Sequence, residues 1–261
     1  MENLRKYGYA PFNVAVIHGG PGAPGSVAPV ARELSSDLGV LEPLQTASRL
    51  VSQVEELKGV LEENGDEPVT LIGWSWGAFL GFILSARYPK LTKKLILVGS
   101  GGFEKQYGAK TMETRLSRLS EKERSDVRSM MSAMRNPGIQ TDDSHFAKIG
   151  KLLGKTDSYN LMKCESDVIE VQQDIFKSVW SDAEKLRASG KLLEMGKLIQ
   201  CPVVAIHGDY DPHPAEGVRE PLSRVLKDFR FILLEKCGHE PWKEKDARDE
   251  FYRILKAELG R

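Results

Sequence analysis

The sequence predicts an α/β protein, a mostly parallel twisted sheet with helices on both faces and a helical cap inserted into it. Short apolar runs rich in valine, isoleucine and leucine alternate with helix-length segments over residues 13–98 and again over 202–259. Parallel strands require that alternation, because each return crossover needs a helix. Residues 103–199 differ: they hold no convincing strand and are rich in Lys, Arg, Glu and Ser. A chain of 261 residues suits one large core with such an insertion. The expected division is a core of residues 1–102 and 200–261, with a cap of residues 103–199.

In order, residues 13–17 read as a strand ending at His18-Gly19-Gly20-Pro21-Gly22, and residues 27–38 as the amphipathic helix after that turn. A short apolar run, 39–41, leads into Glu42. Residues 46–64 carry Leu50, Val51, Val54, Leu57, Val60 and Leu61 at helical spacing and close at Asn64-Gly65, a helix stop signal. Residues 69–72 form the next strand, 78–84 open a helix that halts at Tyr88-Pro89, and 94–98 form another strand. In the cap, Leu116, Leu119, Val127, Met130, Met131 and Met134 fall at helical spacing before the break at Asn136-Pro137-Gly138. Further helices are expected near 145–153, beginning at His145, and near 161–186. The methionines serve chiefly as core filler, with an adaptability that suits an apolar pocket. Glu165, Asp167, Glu170 and Asp174 read as a solvated face. Residues 202–206 and 230–234 are the last strands, with helices at 218–226, despite Pro221, and at 245–259.

The chemistry centres on Gly73-Trp74-Ser75-Trp76-Gly77, between the 69–72 strand and the following helix. A serine there exposes its hydroxyl only if the chain reverses in a cramped turn, where flanking side chains would strike backbone and glycine removes the clash. Two more polar residues stand just beyond later strands: Asp211 in His207-Gly208-Asp209-Tyr210-Asp211-Pro212-His213-Pro214, and His239 in Cys237-Gly238-His239-Glu240-Pro241-Trp242. Parallel strands put their carboxyl ends along one edge, so the three residues can converge there. Asp211 is preferred to Asp209 because it lies further past its strand, within reach of a histidine on the next loop. His18 and His207 abut strand ends and read as turn supports, and His213 is held between prolines. Gly20, in the His-Gly-Gly turn, is the candidate backbone donor to a developing oxyanion. Trp74 and Trp76 beside Ser75, under a methionine-bearing cap, favour an apolar substrate group.

On these motifs the chain resembles the α/β-hydrolase superfamily over essentially its whole length. The His18-Gly19-Gly20-Pro21-Gly22 turn with Ser75-Trp76-Gly77 resembles its proline iminopeptidase-like branch. The resemblance implies Ser75 as nucleophile, Asp211 as acid, His239 as base, and the backbone N–H groups of Gly20 and Trp76 as oxyanion hole. Two departures stand out. Few residues precede the first strand, so the family's leading antiparallel strands are expected to be missing, and Trp74 stands where the branch usually has glycine. The function so implied is a serine hydrolase acting on an ester or amide of a small or short-peptide substrate, as a carboxylesterase or an aminopeptidase. Neither a metal nor an organic cofactor is needed.

Composition narrows the partners. Lys plus Arg and Asp plus Glu are 37 each, which gives no electrostatic reason to expect nucleic acid or an anionic membrane. Cys164, Cys201 and Cys237 are odd in number and widely spaced, as expected of buried thiols in a reducing compartment. With no long apolar stretch, a soluble cytoplasmic protein is expected. Two readings of other kinds stay open. Gly20, Gly22, Gly25 and Glu42 fit a dinucleotide fingerprint, although Pro21 and Pro24 remove N–H groups a pyrophosphate would use. A catalytically silent binding protein on the same scaffold is the other, since fold does not dictate function.

Overall fold

A computed structural model describes residues 3–135, 143–163, 167–170 and 172–260, with the side chains of 134, 135 and 143–147 left out. The expected break at Asn136-Pro137-Gly138, the side chains of Met134 and His145, and the residues Cys164 and Glu165 lie outside the described residues. The first half runs β1 (Leu4–Tyr7), β2 (Phe12–Ile17), α1 (Ala28–Leu34), β3 (Gly39–Pro43), α2 (Leu50–Asn64), β4 (Val69–Trp74), α3 (Trp76–Arg87) and β5 (Thr92–Val98). A helical segment follows, α4 (Gln106–Ser117), α5 (Glu121–Arg135), α6 (Asp143–Thr156), α7 (Gln173–Ala188) and α8 (Lys191–Glu194). The chain then returns through β6 (Val203–Gly208), α9 (Glu216–Val225), β7 (Phe229–Leu234) and α10 (Arg248–Glu258).

The seven strands form one sheet in the order β1-β3-β2-β4-β5-β6-β7. All neighbours are parallel except β1, which runs antiparallel to β3 with Leu4 opposite Pro43. Successive side chains on a strand point to opposite faces, and here each face is covered. Ala15, Ile17, Leu71, Leu95, Leu97 and Ala205 pack with α2 and α3 on one side. Their alternates Val14, Val16, Ile72, Ile96, Val98 and Ile206 pack with α1 and α10 on the other. That double burial is why the strands read as continuous apolar runs rather than alternating ones.

Three differences from the sequence reading have physical causes. A leading antiparallel strand exists: β1 is held to the edge by the Tyr7 hydroxyl, which donates to the buried Glu42 carboxylate at 2.7 Å, with Arg5 at 3.7 Å. α4 and α5 are separate helices, because Ser120 and Glu123 form a reciprocal cap: Ser120 N–H and hydroxyl donate to Glu123 Oε2 at 3.0 and 2.7 Å. Among the described residues, the apolar spacing from Leu161 onward is helical only from Gln173. Before that the backbone bonds the core instead: Met162 N–H donates to Lys243 O at 2.8 Å, Ile169 N–H to Pro24 O at 3.0 Å and Gln172 N–H to Gly22 O at 2.8 Å.

Candidate active site

The turn after β4 is tightly constrained. Ser75 sits at φ 53° and ψ −112°, a conformation that costs a non-glycine residue on the order of 1–3 kcal/mol and persists only where its surroundings over-determine it. The surroundings do so. Ser75 N–H donates to Val98 O at 2.9 Å, tying the turn to β5. A side chain on Gly77 would strike Ile17 O in β2, and one on Gly73 would strike the Gly77 backbone, so the glycines let strand and helix close upon each other. Trp76 opens α3, and among the described residues neither its N–H nor that of Gly20 has a hydrogen-bond partner. Gly20, at φ 44°, turns the chain beside the end of β2.

Because β4, β5, β6 and β7 run parallel, their carboxyl ends share one edge, and Asp211 and His239 meet there. His239 Nδ1 donates to Asp211 Oδ2 at 2.7 Å, both groups being buried. Gly99, just past β5, leaves them room: a Cβ there would stand 3.2 Å from His239 Nδ1 and 3.3 Å from Asp211 Oδ2. Burial alone would raise the Asp211 carboxyl, but the surrounding histidines outweigh it and hold it well below the ordinary carboxylate range. Burial likewise opposes charge on His239, yet the Asp211 carboxylate wins and its pKa is raised. Asp209 does other work, accepting the Cys237 N–H at 3.1 Å. Trp74, the neighbour of Ser75, reaches the pair: its Nε1 donates to His239 O at 2.8 Å and the two rings lie 5.3 Å apart. The Ser75 hydroxyl makes no hydrogen bond with a described residue, a bond that in ligand-free sites often tightens only when substrate arrives.

The remaining histidines differ in role. His18 is buried and pushed down to about 4 by desolvation, accepting the Gln45 N–H at Nε2 and holding the Gly19 carbonyl at Nδ1. His207 holds the His213 carbonyl at 2.8 Å. His213 itself shares the acid: its backbone N–H and its Nδ1 both reach Asp211 Oδ1, at 2.9 and 2.8 Å. Asp211, His213 and His239 each put one potential metal-ligand atom within 4.8 Å of the others, and the two N–H···O bonds account for that clustering.

A model of the alpha/beta hydrolase fold matches residues 21–246. The chain belongs to that family. Among curated proteins it is similar to the pimeloyl-[acyl-carrier protein] methyl ester esterase of Neisseria meningitidis serogroup B / serotype 15 (strain H44/76), 25% identical over 181 residues. The match covers 68% of this chain and 64% of that protein, less than two thirds of the relative's own length. Among solved structures, VinJ has a TM-score of 0.72 at 17% identity, covering 98% of this chain and 94% of that one. The proline iminopeptidase of Mycobacterium smegmatis has 0.63 at 18%, covering 98% and 93%. At these identities the structural likeness speaks to the fold.

This alpha/beta hydrolase-fold chain has a device the sequence did not suggest. Glu244, in the charged run Lys243-Glu244-Lys245, is fully buried. Its carboxylate accepts the N–H groups of Tyr159 at 2.8 Å, Asn160 at 2.7 Å and Gly238 at 3.0 Å. It therefore joins the helical segment to the loop that carries His239, whose own N–H donates to Asp157 O at 2.7 Å. Arg118 does the same for the acid loop, donating to Thr156 O and Tyr210 O, both at 2.8 Å. Glu244→Ala, which orphans three backbone donors, the buried Gly238 N–H and the part-buried N–H groups of Tyr159 and Asn160, is expected to cost about 2 kcal/mol of unfolding free energy in a urea titration. Glu244→Gln should lose less, since one oxygen remains.

Two cavities border the site. One, about 1150 Å³, is lined by Trp74, His239, Lys151 and Lys243; the other, about 550 Å³, by Met112, Met131, Phe176, Trp180 and His213. Trp74 is otherwise buried and engaged with His239, so its expected part in substrate contact is limited to that wall. The dinucleotide reading loses its geometry: Glu42 lies under Tyr7, and Ile169 and Gln172 bond the backbone of the Gly22–Gly25 turn. Cys237 is buried and Cys201 half-buried, both thiols raised by burial, that of Cys201 to about 11. Among the described residues no helix is long and apolar enough to cross a membrane.

Proposed function

We propose that this protein is a serine hydrolase that cleaves a carboxylic ester of a small, partly apolar substrate through an acyl-enzyme. The observation that carries the reading is the buried 2.7 Å Asp211–His239 pair, bonded by Trp74, whose neighbour Ser75 is strained at φ 53°. With Asp211 accepting from Nδ1–H, the neutral imidazole keeps Nε2 free to take the Ser75 proton as the hydroxyl attacks the carbonyl. The unpartnered N–H groups of Gly20 and Trp76 would meet the charge that develops on the carbonyl oxygen. His239 then returns its proton to the leaving group, and water releases the acyl group by the same steps in reverse. The helical segment 103–199 serves as the cap of the site.

One feature favours an ester over an amino-terminal peptide bond. Capturing a substrate ammonium in a cavity needs an unpaired carboxylate, since a buried charge must be neutralised locally. Among the described residues, every carboxylate lining the two cavities already has a cation: Glu123 has Lys155, Asp157 has Arg115, Glu184 has Arg187 and Glu240 has Lys243. The similarity to a methyl ester esterase points the same way. Purified protein is expected to hydrolyse p-nitrophenyl butyrate or octanoate with kcat/KM at least about 100-fold above prolyl- or alanyl-p-nitroanilide. Preference for the anilides would overturn the ester assignment.

A further inference from the structure

His213 is fixed from one side and free on the other. A carboxylate only accepts, so the 2.8 Å contact with Asp211 Oδ1 puts the imidazole proton on Nδ1. Nε2, on the opposite edge of the neutral ring, is then an acceptor, and it makes no hydrogen bond with a described residue. Burial pushes the His213 pKa down to about 4, so this tautomer holds at neutral pH. The free edge is not sealed in: the side chain is 16% exposed, and Cδ2, bonded to Nε2, lies 3.9 Å from where a Cβ on Gly101 would stand. His213 and Gly101 both line the 550 Å³ cavity, whose other walls include Met112, Met131, Ile149 and Trp180.

The cavity stands beside the reacting groups at two points. Trp180 packs on Trp76, the residue after Ser75, with ring centroids 6.4 Å apart. His213 packs on His239 at 4.7 Å. Its volume falls in the range of about 300–1,000 Å³ usual for small-molecule sites. Its charged residues are already paired, Arg187 with Glu184 within the wall and Arg115 with Asp157 outside it, and Thr111 spends its hydroxyl proton on Tyr107 O. An apolar chain filling this space would displace water from Nε2 and leave that acceptor unmatched, unless the chain brings a donor of its own.

We propose that this cavity is the acyl subsite and that His213 is its specificity-determining residue, selecting acyl chains that carry a hydroxyl within reach of Nε2. The inference rests on the hydrolase reading for the word acyl, but its test needs no turnover. Octanoate and its γ-, δ- and ω-hydroxylated forms are titrated into the wild-type protein, with tryptophan fluorescence as the readout because Trp180 lines the cavity. At least one hydroxylated acid is expected to bind about tenfold or more tighter than octanoate, the scale on which an unmatched buried acceptor discriminates. His213→Asn, whose amide nitrogen can still donate to Asp211 in place of Nδ1, should lose that margin. Ile149→Trp, which fills the cavity from the α6 side without touching Asp211, should weaken every acid in the series. Equal affinities across the wild-type series, a margin that survives His213→Asn, or indifference to Ile149→Trp would each overturn the proposal. Ester turnover by the same wild-type preparation is read separately, so failure of the hydrolase reading and failure of the subsite are distinguishable.

Discussion

Ser75→Ala is expected to fold as the parent does and to lose about 10⁵–10⁶-fold in kcat on a p-nitrophenyl ester, the scale of removing a nucleophile that acts as one unit with its base. The fold should survive because the strained backbone at residue 75 is held by Val98 O and by the close approach of Gly73 and Gly77, none of which involves the hydroxyl. The residual rate would come from binding and from the two backbone N–H groups alone. Mass spectrometry after treatment with a fluorophosphonate should find one phosphonyl adduct, on Ser75, in the wild type and none in the variant. A folded Ser75→Ala protein with undiminished turnover would remove the nucleophile assignment, and with it the acyl-enzyme.

How much of this was readable beforehand depended on whether the cause was local. The turn around Ser75 was legible because steric demand, glycine on both sides and a strand running into a helix all lie within a dozen consecutive residues. Asp211 and His239 were legible for the same reason at one remove: each follows a strand, and parallel strands share an edge. β1 was not, since its four residues carry no alternating pattern and it exists through its pairing with β3 and the bond from Tyr7 to Glu42. The sequence from Leu161 onward has helix-like spacing, yet the N–H groups of Met162, Ile169 and Gln172 find carbonyls at Lys243, Pro24 and Gly22, partners no local pattern reveals. Glu244 stands between two lysines in the sequence, and its burial is explained by three backbone donors, Gly238 close by and Tyr159 and Asn160 from a segment distant in sequence. His213 read as a residue immobilised between prolines. That the same carboxylate would serve two imidazoles is a matter of side-chain placement, on which spacing is silent.

That sharing sharpens what Asp211→Asn should do. Asn offers one acceptor and one donor where Asp offers two acceptors. His213 presents two donors to Oδ1, its backbone N–H and its Nδ1, so the asparagine oxygen is drawn to that side and the NH₂ is turned toward His239. Facing a donor, His239 Nδ1 must become the acceptor and carry its proton on Nε2 instead, the tautomer that cannot take a proton from Ser75. The expected fall in kcat is about 10⁴-fold, as when the acid of such a triad becomes an amide. The pH profile gives a second reading. In the wild type the base must be neutral, and burial opposes its charge less than Asp211 favours it, so its pKa is raised above the ordinary 6.5. Activity is therefore lost as pH falls through that raised value, and the acid limb of kcat/KM should have its midpoint above 6.5. Without the carboxylate, burial, the largest single influence, is opposed only by the charge of Asp157 and is reinforced by Arg115, and the limb of the residual activity should move to lower pH. A variant that keeps both the rate and the wild-type limb would mean that Asp211 neither orients nor charges His239, and the proposed mechanism would lose its base.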